Sequence, residues 1–86
     1  RNTEDYLKAF PDPFYDNLFV TLSHRLNSNI ILSIYNINGE LMLKEVINPE
    51  KKDILKIATR NWRSGLYLIS IQSKQTSKSL KVIKIS

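Results

Sequence analysis

Cysteine is absent from the 86 residues. That excludes disulfide staples, cysteine-ligated zinc and thiol nucleophiles. It does not fix a compartment, because disulfide-free domains occur on either side of a membrane. Histidine occurs once, as His24 in His24-Arg25-Leu26-Asn27-Ser28. In that polar stretch it reads as a surface loop residue, with none of the neighbours that a metal site or a catalytic triad requires. Glycine occurs twice, too rarely for a loop that cradles phosphate. Gly39 and Gly65 each fall in a turn, where a positive φ is easy for glycine. No apolar run approaches the roughly 18 residues that a membrane-spanning helix needs, so no direct membrane insertion is expected. The start, Arg1-Asn2-Thr3-Glu4-Asp5, leads into no apolar segment of the signal-peptide kind. Lacking an initiator Met, the chain reads as a piece of a longer one.

Acidic side chains are missing from the last third. All eight lie between Glu4 and Asp53, whereas the segment from Ile54 to Ser86 carries seven Lys or Arg. Residues 1–53 have a net charge of −2 and residues 54–86 one of +7, an asymmetry that suits an acidic partner. Nucleic acid is not the expected partner. The basic residues alternate with apolar ones, as on the wet side of a sheet, rather than with exposed aromatics or along a recognition helix.

What the chain does contain is period-two apolar patterning in short runs. Leu18, Val20 and Leu22 alternate, as do Ile30, Leu32 and Ile34, and again Tyr67, Ile69 and Ile71. Leu55 and Ile57 form a shorter pair. Between the runs stand Pro11-Asp12-Pro13, Asn38-Gly39, Asn48-Pro49 and Ser64-Gly65, with Gln75-Thr76 a weaker turn. Strands are expected near 7–10, 17–23, 30–36, 41–47, 53–58, 65–73 and 78–85, with one helical turn at 59–62. In the last run the apolar parity shifts between Val82 and Ile83, which suggests a bulge or a strand covered on both faces.

Seven short strands at near-regular spacing give an all-β fold, a seven-stranded immunoglobulin-like antiparallel β-sandwich. Residues 1–6 read as a polar leader or linker and 7–86 as a single domain. Hydrophobic residues are 42% of the chain, enough for one modest core and too much for a disordered tail.

Candidate chemistry is sparse. Asp12 and Asp16, four apart around Pro13 and Phe14, read as Asx-type caps of their turns rather than as a catalytic or calcium-binding pair. Trp62 suits the open end of the sandwich as a plug, although it could also serve as a sugar platform. Tyr35 and Tyr67 belong in or near the core. Phe10, Phe14 and Phe19 gather around the proline turn, and Phe19 has the parity of an outward residue. No catalytic constellation, metal site or cofactor site emerges, so the chain is not expected to be an enzyme.

The motifs acquire meaning from their order. Phe10-Pro11-Asp12-Pro13-Phe14 is followed by Ile34-Tyr35-Asn36-Ile37-Asn38-Gly39-Glu40, then Ser64-Gly65-Leu66-Tyr67, then Leu80-Lys81-Val82-Ile83-Lys84-Ile85. This series resembles the type A C-terminal sorting domain of the type IX secretion system of Bacteroidota. That family runs roughly Y-P-N-P-F, I-Y-D-x-x-G-K, S-G-x-Y and K-x-x-K. Phe10, Asp12, Asn36, Glu40 and Trp62 depart from its pattern.

The resemblance implies an address label that sends a larger cargo from the periplasm across the outer membrane, to the cell surface or the medium. The implied partners are the translocon, an outer-membrane shuttle protein and a sortase-like protease. Cleavage is expected in or before residues 1–6. Lys78, Lys81 and Lys84, near the free end, and Phe19 are the expected partner contacts. Pro11, Asp12, Pro13, Phe14, Tyr35, Gly39, Gly65 and Tyr67 are expected to be structural. A homodimer through edge strands is a further expectation. The residues leave open a second reading, an immunoglobulin- or fibronectin-like accessory or carbohydrate-binding module of a surface protein.

Overall fold

The computed structural model describes residues 7–23, 28–74 and 76–85. It contains seven strands: β1 (Leu7–Phe10), β2 (Asn17–Leu22), β3 (Ile30–Asn36), β4 (Leu41–Ile47), β5 (Ile54–Ala58), β6 (Gly65–Gln72) and β7 (Ser77–Lys84). They form two antiparallel sheets, ordered β1-β2-β5 and β4-β3-β6-β7. This is the expected sandwich. The fourth strand stays beside β3, where an immunoglobulin constant domain places it in the opposite sheet. His24 and the leader at 1–6 lie outside the described residues.

The period-two pattern explains the core. Leu18, Val20 and Leu22 of β2 alternate inward, as do Leu55 and Ile57 of β5, to meet Ile30, Leu32, Ile34, Tyr67, Ile69, Ile71 and Val82 of the facing sheet. Each such side chain contributes ~1.5–3 kcal/mol on full burial. Ordering of the backbone offsets most of that gain.

Phe14 is fully buried at the edge between the sheets, its ring edge-on to Tyr67 at 5.9 Å. The loop that carries it crosses from β1 to β7. Phe14 forms a parallel bridge with Lys84, giving its N–H to the Ile83 carbonyl at 2.9 Å and taking the Ile85 N–H at 2.9 Å. The Asp12 carboxylate, expected to cap its own turn, reaches across to β7 instead, where its Oδ1 accepts the Ile83 N–H at 3.0 Å, from 71 residues away. The proline loop therefore closes one half of an otherwise open edge.

Three local expectations are corrected. Residues 59–62 form a single hydrogen-bonded turn, Trp62 N–H to Thr59 C=O at 2.9 Å, and not a helical turn. Thr59 is committed elsewhere: its N–H goes to the Asp16 carbonyl and its hydroxyl to the Tyr15 carbonyl. Second, β7 has no bulge, since its ladder with β6 runs unbroken from Ser77 to Lys84. The parity shift is absorbed by side chains. Ile83 points outward, 50% exposed, and Lys84 inward at 3%, its apolar stem tolerating burial. Nor is this a strand covered on both faces. The register shift occurs instead in the first hairpin, between Ile34 and Tyr35 opposite Leu43 and Leu41. Third, the proline turn does not gather three phenylalanines. Phe14 enters the core, whereas Phe10 stacks on Phe19 at 5.8 Å outside the three-stranded sheet.

The Asn38-Gly39 signal does mark a hairpin. Its loop is residues 37–40, and Gly39 at φ +83° supplies the left-handed position that follows a turn closed by Gly39 N–H to Asn36 C=O.

Candidate docking surface

Cross-strand register assigns every outward residue of the four-stranded sheet to a row. Val46, Ile31, Gln72 and Ser77 form the first, and Lys44, Ser33, Ser70 and Ser79 the second. Leu41, Tyr35, Leu68 and Lys81 form the third, and Leu66 pairs with Ile83 in the next. Small hydroxyl side chains thus floor the middle of the face. The hairpin end is apolar, with Leu41 53% exposed, Ile83 50% and Ile37, in the adjoining loop, 73%. A shallow cavity here is lined by Tyr35, Ile37, Leu66, Leu68 and Lys81. Adjacent exposed apolar residues, with Lys81 at their rim, make a candidate interaction surface, because leaving them in water is unfavourable.

The expected contact residues divide. Lys81 lies on this face and is exposed. Lys78 is half-buried, on the inward parity of β7. Lys84 is withdrawn from solvent, so its side chain is not a surface cation. Phe19 is on the other sheet, half-covered by Phe10 and paired in register with Lys56. The docking candidates are therefore not one cluster: only Lys81 joins the apolar face.

The motif residues hold the scaffold that presents this face. Tyr67, 3% exposed, gives its hydroxyl proton to the Arg63 carbonyl at 2.6 Å. That bond, from a tyrosine near a strand start to backbone just upstream, has the form of an immunoglobulin tyrosine corner. Burial raises the Tyr67 pKa, while the nearby Arg63 charge acts to lower it. Trp62 lies half-buried against Tyr67, centroids 5.1 Å apart, at the rim of the core. It lines a cavity with Asn36, Glu40, Asn61 and Arg63. Gly65 has φ +142° where the chain enters β6.

Reading residues one at a time missed the apolar face. Its signal was present, since Gly65-Leu66-Tyr67-Leu68-Ile69 is apolar at both parities, the mark of a strand that something covers on each side. Among the described residues, no group of His, Asp or Glu is placed to hold a metal ion.

The family model for secretion system C-terminal sorting domains matches residues 8–85. No curated protein matches the chain.

Proposed function

The chain belongs to the family of type IX secretion C-terminal sorting domains, and from that premise we propose that the outer face of its four-stranded sheet is the address read during export. In this reading the cargo folds in the periplasm. The translocon and then a shuttle protein engage the face built from Tyr35, Leu41, Leu66, Leu68 and Ile83, with Lys81 at its rim. A sortase-like protease acts in or before residues 1–6. What supports the reading is the placement of large apolar side chains outward on a sheet whose inward parity already fills a core. The domain catalyses nothing. It supplies binding free energy from apolar burial and orientation from charge.

The test is export of a fluorescent reporter carrying a periplasmic signal and residues 1–86, in a strain with a working type IX system. Surface or medium fluorescence that disappears when the translocon is disabled is the expected result. Retention of an intact, folded fusion in the periplasm sinks it. The carbohydrate-module alternative rests on Trp62, whose ring is engaged with Tyr67, and glycan-array binding lost in Trp62→Ala would favour it instead.

A further inference from the structure

The two halves of the β7 edge differ. Ile83 directs its N–H and C=O away from β6, toward Asp12 and Phe14. In an antiparallel ladder such outward-directed residues alternate, and the β6–β7 ladder has no register shift. Ser77, Ser79 and Lys81 are therefore in the same phase as Ile83, with their backbone groups aimed away from β6. No described residue pairs with Ser79 or Lys81 on that side. The proline loop closes the edge at Ile83 and stops there.

Beside the open half runs a groove between β7 and β1, floored by Leu7, Ala9, Leu80 and Val82. Lys8 and Lys81 stand on its rim, and Lys78 is on the same strand. Among the described residues the one acid lining it, Asp12, already accepts a backbone N–H.

Resting on the sorting function proposed above, we propose that residues 77–81 receive an added β-strand from the export machinery, an extended segment whose side chains alternate between apolar and acidic. Main-chain groups of Ser79 and Lys81 pair with the incoming strand. Its apolar side chains enter the groove between the sheets. Its acids lie on the outer face beside Lys81, where opposite charges on neighbouring strands attract. About five residues, roughly 17 Å at the rise of a strand, fill the open stretch.

Proline at Ser79 removes the outward N–H and leaves the bonds to β6 in place, as edge strands tolerate. Ser79→Ala keeps the N–H. The reporter fusion is compared as wild type, Ser79→Ala and Ser79→Pro, with thermal unfolding of each purified chain. Export of the first two, with Ser79→Pro folded but at the background of the translocon-disabled strain, supports strand addition. Export of all three overturns it and leaves the sorting role standing. Failure of the wild type to be exported overturns the sorting role and this inference together.

Should Ser79→Pro fail to fold, amide hydrogen exchange on the wild-type chain decides. A seven-residue peptide alternating Val and Glu, at saturation, is expected to slow exchange at Ser79 and Lys81 on the order of tenfold or more, and a Val/Lys peptide is not. No protection by the acidic peptide overturns the proposal. So does concentration-dependent protection of these amides without peptide, which assigns the edge to a second copy of the chain.

Discussion

The Asn36 amide gives a proton to the Glu40 carboxylate at 2.7 Å, across the mouth of the first hairpin. Asn36 Oδ1 at the same time accepts the Asn38 and Glu40 backbone N–H groups, each at 2.9 Å. These are two of the positions at which the chain departs from the pattern it resembles, Asn36 standing for Asp and Glu40 for Lys. The two residues form an amide–acid pair that keeps the turn's acceptor.

Asn36→Asp retains that acceptor and sets two carboxylates against each other. Glu40→Lys sets a cation against an amide donor. Each single change is expected to cost about 0.5–1.5 kcal/mol in denaturant unfolding. The double variant restores an attractive pair and should recover most of the loss, with a coupling of about 1 kcal/mol. Additive losses would show that the two side chains do not interact in solution.

The Tyr67–Arg63 bond sets a second expectation. Tyr67→Phe keeps the ring against Phe14 and Trp62 and leaves the Arg63 carbonyl without its partner, at a cost of about 1–3 kcal/mol. The pH dependence follows from the sign of the shift. Burial holds the folded-state pKa above the ordinary value of 10.0, so ionisation favours the unfolded chain. The phenol's contribution is fully present below pH 10 and is lost as pH rises through the folded-state pKa. Unfolding midpoints between pH 9 and 11 should fall more steeply for wild type than for Tyr67→Phe, and parallel curves would discount the linkage.

Strand positions and the two glycine turns were legible in the chain because period-two patterning and turn chemistry are local signals. The tertiary bonds were not. Nothing near Asp12 announces that its carboxylate will meet an amide 71 residues away, and nothing near Tyr67 says that its hydroxyl turns back to Arg63. Lys84 misled for a related reason. A lysine reads as solvent-facing, but β7 is pinned by the proline loop, and fixed alternation carries Lys84 inward and Ile83 outward. The docking face is legible only in part: β6 is apolar at both parities, but the face forms when Leu41, Leu68 and Ile83 of three different strands come side by side.

Self-association through β4 should be weak. Antiparallel pairing of two copies over the whole strand, with outer faces aligned, places Lys44 directly opposite its own copy, and such like-charge pairs destabilise a sheet. The chain is expected to sediment as a monomer at micromolar concentration. Lys44→Val removes the repulsion and leaves an edge with exposed Leu41 and Val46, so it should raise the dimer fraction. A wild-type dimer that Lys44→Glu leaves intact would place the contact elsewhere.

Ile83 offers the sharpest separation of docking from folding. Its side chain is half in water and points away from the core, while its backbone is fixed by Asp12 and Phe14. Ile83→Lys should therefore alter stability by no more than about 0.5 kcal/mol, as surface changes usually do. It replaces an apolar anchor of the proposed contact with a charge, at a cost on the order of 2 kcal/mol, roughly thirtyfold in affinity. The reporter's export rate should drop with no change in its periplasmic folding. Val82→Lys is the contrasting variant: Val82 is 1% exposed, so the same substitution one residue earlier should unfold the domain. Normal export of Ile83→Lys would remove the outer face from the recognition surface and shift attention to the open edge at Ser79 and Lys81.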